Sequence, residues 1–153
     1  MRTLLALGMM SLIFAQGCID PRDRRPGLWL TGTEAEAPIS DWAFTDEHPE
    51  IAIEVRTPYG LRHSVTIVCA QRGGQLYVGA RDPSTKRWVS YVKRDPEVRL
   101  GIADTIYPVR LEPLTSAEER EAVVLAYAQK YKRPLLPPDE RPEILYFRVM
   151  PRR

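Results

Sequence analysis

Residues 61–88 read LRHSVTIVCAQRGGQLYVGARDPSTKRW. The run LRHSVTIVCA (61–70) is rich in β-branched residues, which suit a pleated, half-buried surface. QRGG (71–74) supplies two glycines able to take positive φ, the requirement of a tight hairpin. QLYVGA (75–80) is the returning strand. Immediately upstream, IAIEVRT (51–57) alternates apolar and polar residues, and PYG (58–60) signals a turn. Residues 51–80 therefore predict a three-stranded antiparallel meander. DPSTKRW (82–88) follows it as a basic turn bearing hydroxyls.

Beyond this turn, STKRWVSYVKRDPEV (84–98) predicts a short helix stopped by Pro96, with Trp88, Val89 and Val92 as its apolar stripe. VRLGIAD (98–104) and TIYPVRLEPL (105–114) read as a strand pair around Asp104. TSAEEREAVVLAYAQKYKR (115–133) is the clearest helix. Thr115 with Glu118, or Ser116 with Glu119, makes a capping box. Acids crowd the start of this helix and cations its end, as the helix dipole favours. PLLPPDERP (134–142) excludes regular structure, and ILYFRVM (144–150) is a last strand. GLWLTGT (27–33) suggests a short early strand, with Trp42 and Phe44 folding back onto the core. The expected architecture is mainly β with α: an antiparallel barrel of about six or seven strands with one long and one short helix. The βαβ alternation and glycine-rich fingerprint of a doubly wound dinucleotide fold are absent.

A chain of 153 residues is the size of one domain. Its 22 cations against 20 acids leave a formal charge of +2, which gives no reason to expect a nucleic-acid partner. Fourteen prolines must lie mainly in turns, sheet edges and terminal segments.

The N-terminus has its own grammar. Arg2 precedes an apolar run of about 12 residues, Leu4 to Ala15, the length of a signal-peptide core and too short for a transmembrane helix. AQGC (15–18) resembles the lipobox of bacterial lipoproteins, which implies acylation of Cys18. The expected organisation is a signal peptide over 1–17, a lipidated tether over 18–27 and a barrel domain over 28–153. With Ile19 after the cysteine, lipoprotein sorting implies a cell-envelope protein, in the outer membrane facing the periplasm. The acyl chains would anchor it to the membrane.

The order of motifs also resembles a family. TPYGLRHSVTI, then QRGGQLYVGA, then DPSTKRWVSYVKRDPEVRLGI, an acidic-start helix and a final YFRV strand are similar to the FMN-binding split barrel of the pyridoxamine phosphate oxidase-like superfamily, including its deazaflavin-dependent branch. The resemblance spans roughly residues 50–150. It implies a split β-barrel, an FMN or deazaflavin cofactor and a homodimer with the cofactor at its interface. At matching positions, Arg62 begins the flavin-facing strand. Ser64, Val65 and Thr66 lie along the flavin, and Ser84, Lys86 and Arg87 form the phosphate turn. The chemistry agrees, because a phosphate dianion favours paired cations with hydroxyl donors, and arginine can bind it bidentately. The turn also precedes a helix whose first N–H groups are free. The chain departs from the family pattern at Gly79-Ala80, where a hydroxyl is usual.

Other chemistry has less support. His48 and His63 have no metal-ligating partners at suitable spacing, so no metal site is expected and both read as surface residues. Cys69 reads as a small buried hydrophobe, and no nucleophile elbow is present. Trp29, Trp42 and Trp88 read mainly as core, with Trp88 a candidate for a cofactor or dimer contact. No residue stands out as a general base. Two functions follow: an anchored flavin- or deazaflavin-dependent oxidoreductase of unknown substrate, or a non-enzymatic envelope lipoprotein using the barrel to bind a small ligand or to dimerise.

Overall fold

The computed structural model describes residues 27–152. The expected signal peptide and Cys18 lie outside the described residues. Within them the elements run β1 (Thr33–Glu34), β2 (Ile51–Arg56), β3 (Arg62–Ile67), β4 (Cys69–Arg72), β5 (Gln75–Arg81), α1 (Arg87–Arg94), β6 (Glu97–Ile102), β7 (Thr105–Pro113), α2 (Ala117–Lys130) and β8 (Ile144–Pro151). Single 3-10 turns occupy Ala43–Glu47, Pro83–Thr85 and Pro138–Glu140.

The strands form one sheet in the order β3-β2-β6-β7-β8-β5-β4, with β1 attached in parallel to the start of β7. Its two edge strands, β3 and β4, are consecutive in sequence and separated only by Val68. The sheet thus curls into a barrel that is split at Val68. This corrects the expected meander: LRHSVTIVCA is not one strand. Its first half pairs with β2, Arg56 opposite Arg62, and its second half pairs with β5, Cys69 opposite Val78.

Inward residues share layers across the strands. Ile53 lies opposite Val65 on one side and Leu100 on the other. Ile53, Leu76, Leu100, Leu111 and Phe147 are essentially removed from solvent. At about 1.5–3 kcal/mol per fully buried large apolar side chain, this layer is the main source of cohesion. Trp88, Val89 and Val92 of α1 close one end of the barrel, and Trp88 packs against Phe147 with ring centroids 5.9 Å apart. Only 5% exposed, Trp88 is a core residue and not an open contact surface. Trp42 is likewise core, but Trp29 is 45% exposed, contrary to expectation.

The QRGG turn forms as read. Gly73 and Gly74 have φ of 57° and 79°, so Arg72 and Gln75 can pair across a two-residue loop. Helix α2 packs on the outside of the barrel, where Val123, Tyr77, Leu114 and Tyr146 form a second apolar cluster. The Ser116 Oγ accepts from the Glu119 amide at 3.3 Å, which makes Ser116 the N-cap. The Glu119 carboxylate does not complete the capping box; it turns instead to Arg148 and the Tyr77 hydroxyl.

The break at Val68 leaves backbone groups without a ladder partner, and α2 supplies them. Tyr127 donates its hydroxyl proton to Val68 O (3.1 Å) or Tyr77 O (3.2 Å). One turn on, the Tyr131 hydroxyl accepts from the Cys69 amide at 3.2 Å. Its own proton lies between Pro49 O at 2.7 Å and Cys69 O at 2.9 Å.

Candidate anion and cofactor site

Alternation on β3 sends its side chains to two faces. Val65 turns inward against the core. Arg62, Ser64 and Thr66 lie opposite Arg56, Glu54 and Ala52, on the outer face of the barrel.

Arg62 meets a buried carboxylate there. Glu54 is 1% exposed and accepts from Arg62, from Arg99 Nη1 at 2.9 Å and from the Leu30 amide at 2.6 Å. A buried carboxylate needs such partners, because leaving it unpaired would cost several kcal/mol. Arg62 is thus committed to Glu54, with its guanidinium still partly exposed. Ser64 is fully buried and its Oγ has no hydrogen-bond partner among the described residues. The covering chain is Gly27–Leu30, which joins the Ser64 edge through two backbone bonds, Gly27 N to Ser64 O at 2.8 Å and Ser64 N to Gly27 O at 3.0 Å.

The predicted phosphate turn lies elsewhere. Asp82 enters it with φ of 52°, and Thr85 Oγ1 donates to Asp82 O at 2.8 Å, which occupies that hydroxyl. Ser84, Lys86 and Arg87 are exposed. The N-cap of α1 is Lys86, and no side chain caps the helix. Lys86 and Arg87 therefore sit at the positive end of the helix dipole, each unfavourable by about 0.3–1 kcal/mol. The opposite end, with Lys93 and Arg94 in the last turn, follows the usual rule. A local preference broken this way is common where function demands it.

Arg87 is close enough to His63 to lower the imidazole's pKa, after burial, which is the larger cause. Tyr91, one turn along α1, meets the His63 ring edge-on at 6.2 Å. The neighbouring Tyr59 hydroxyl, more than burial, raises the Tyr91 pKa. The mouth of the barrel thus gathers Lys86, Arg87, His63, Tyr59 and Tyr91. Arg62, on the other face, is not among them. His63, Tyr59 and Tyr91 were not expected at a site. The signals available were the helical spacing from Arg87 to Tyr91 and the inward parity of His63, neighbour to an outward Arg62.

Gly79 explains the departure noted in the sequence. A methyl group there would stand 3.1 Å from the Tyr146 ring, so this position is a close seat for an aromatic ring, and any side chain would have to push that ring back by a few tenths of an ångström. Cys69 is buried, and burial raises its thiol pKa, with Lys130 acting weakly against this. Among the described residues no group of three His, Cys, Asp or Glu side chains could hold a metal ion. A pocket of about 140 Å³ lies between residues 35–39, Trp42, Tyr107 and Pro151, and none of the predicted site residues lines it.

No protein-family model matches the sequence. No curated protein matches it either. In three dimensions the likeness is clear. A pyridoxamine 5'-phosphate oxidase-type protein from Listeria innocua superposes with a TM-score of 0.56 over 72% of this chain and 90% of its own, at 12% identity. An F420-H2 dependent reductase gives 0.51 over 67% and 94%, at 21% identity. A protein described as a domain-swapped dimer gives 0.53 over 67% and 80%, at 20% identity. The chain therefore has the split-barrel fold of these proteins, as its motif order implied.

Proposed function

We propose that this protein is a membrane-anchored split-barrel oxidoreductase that binds FMN or a deazaflavin, with the cofactor's phosphate at the start of α1. The observation that carries this reading is the uncapped helix beginning at Lys86 and Arg87, beside His63, Tyr59 and Tyr91. A phosphate there would meet the amides of Arg87 and Trp88, since that of Val89 already donates to Lys86 O at 3.1 Å; it would also offset the two misplaced cations and receive a bidentate arginine. Ser84 is free to add a hydroxyl. Tyr59, well exposed, and the half-buried Tyr91 offer ring faces on which a flat ring can stack. The flavin, when bound, supplies hydride or electron transfer; the chain's own groups hold and orient it.

These groups lie on open surface in a single chain, whereas ligand sites usually bury most of the ligand. A second copy supplying the other wall is the natural completion, and the domain-swapped likeness supports a homodimer. Ser64 and Arg62 would contribute to the flavin-facing wall only after the cover of Gly27–Leu30 moves aside. That observation favours the second reading, a non-enzymatic envelope lipoprotein whose barrel binds a phosphate-bearing small ligand or dimerises. Acylation of Cys18 and residence in the outer membrane, facing the periplasm, belong to both readings.

Colour decides between them. The purified protein is expected to carry a visible flavin-type absorbance, or to gain it with added FMN or F420. A colourless protein that binds neither cofactor but binds inorganic phosphate at Arg87 supports the second reading. Failure to bind any of the three, in a chain that also stays monomeric in solution, removes both.

A further inference from the structure

Leu28, Trp29 and Leu61, all large and apolar, are 39%, 45% and 58% exposed. They are held on one end of the barrel wall. Gly27 is bonded to Ser64, and the Leu30 amide and Arg62 share the Glu54 carboxylate. Leu61 adjoins Arg62, and its carbonyl accepts from both the amide and the hydroxyl of Thr57. Arg56, opposite Arg62 on the same face, is exposed. Of the nearby carboxylates, Glu54 is buried beneath them and the exposed Glu34 pairs with Arg99 at 3.6 Å. The result is a firmly mounted surface that is apolar, aromatic and basic.

The chain itself indicates what covers it. Eight residues, IDPRDRRP, separate Cys18 from Gly27. Fully extended, they bring Gly27 no more than about 30 Å from the cysteine, and Arg22, Arg24 and Arg25 among them outnumber Asp20 and Asp23. A tryptophan, leucines and arginines are the side chains that settle at a membrane–water interface.

We propose that this face docks on the bilayer, with Leu28, Trp29 and Leu61 at headgroup depth and Arg56 on anionic headgroups. The barrel would then lie against the membrane in one orientation. The inference rests on the membrane-anchored reading and adds the contact surface to it.

The test uses the full chain in vesicles of phosphatidylcholine with phosphatidylglycerol, some of the lipids brominated near the headgroup. Trp42 and Trp88 are buried, so Trp29 is the emitter within reach of the quencher. Bromolipid is expected to quench emission strongly in the native chain and not in Trp29→Phe. Arg56→Glu should weaken this contact about five-fold or more, with the loss greatest in anionic vesicles. Unquenched Trp29 in vesicle-bound chain overturns the proposal. So does shielding of Trp29 that depends on protein concentration and not on lipid, which would assign the face to a second copy. Mass spectrometry of the same samples reads acylation of Cys18. Quenching is measurable whether the chain is held by acyl groups or by its uncleaved apolar segment, so failure of the anchor and failure of this face are separate results.

Discussion

The hydroxyl of Tyr131 fills the place of a missing strand at Cys69, accepting from that residue's amide while reaching Pro49 O at 2.7 Å. One phenol thereby joins α2, the free edge of β4 and the approach to β2. Tyr131→Phe keeps the ring and removes the bond. An unmet buried amide costs about 1–3 kcal/mol, and denaturant unfolding should show that loss. Burial also pushes the Tyr131 pKa up to about 12 from the ordinary 10. The folded state therefore holds this proton more tightly than the unfolded chain. The associated stability is complete below pH 10 and is lost between pH 10 and 12. The Phe variant should flatten that alkaline decline.

Glu54 is the most deeply placed charge described above. Glu54→Leu would leave Arg62 and Arg99 without their shared partner. Breaking a buried pair costs about 3–5 kcal/mol, but Arg62 is partly exposed and can rehydrate. A loss of about 2–3 kcal/mol in urea unfolding is expected. Arg62→Ala together with Glu54→Leu should recover part of it, since less stranded charge remains.

Lys86 separates site from scaffold. Lys86→Asp places a standard N-cap on α1 and should stabilise the fold by roughly 0.5–1 kcal/mol. The same change should weaken phosphate, FMN or F420 binding at least ten-fold, as a like charge now faces the anion. A melting curve and a binding titration on one variant read the two effects in opposite directions. A loss of fold would instead make Lys86 a structural residue.

His63 reports on its neighbour. Burial and Arg87 both hold its pKa below 6.5. The unfolded chain takes up this proton first, so stability falls as pH drops through 6.5 and on to the lower folded value. Arg87→Gln should raise the folded value, as should bound phosphate. NMR titration of the imidazole follows both changes, and an unmoved His63 would show that Arg87 does not act on it.

Glu119 governs part of the acid limb. Hydrogen bonding to Arg148, with a smaller contribution from Tyr77, lowers its pKa below the ordinary 4.5. Its contribution is present above that value and disappears as pH falls through the lowered one. Stability curves of Glu119→Gln should lose that portion of their acid dependence.

Most of the barrel was legible because each strand carries its own alternation and each turn its own chemistry. The QRGG hairpin and the two helices needed nothing further. The split at Val68 was hidden for a physical reason. Inward parity runs unbroken through His63, Val65, Ile67 and Cys69, so a change of pairing partner leaves no mark in the periodicity. The fate of Arg62 was hidden differently. Its partner Glu54 lies eight residues away, and only the hairpin register brings both to one face. Ser84, Lys86 and Arg87 were readable as a turn before a helix, whereas His63 and Tyr59 join them only through the packing of α1 on β2 and β3.

The short bridge from Gly27 to Ser64 has a bearing on handling the protein. β3 is an edge strand, and an uncovered edge is a template onto which other chains can add. Gly27 occupies that template at Ser64, and Leu30 is tied to Glu54 beside it. Cutting the chain back into this segment would expose β3 to strand addition, so a truncated form would be expected to aggregate although its core is complete. A soluble version should therefore begin upstream of Gly27.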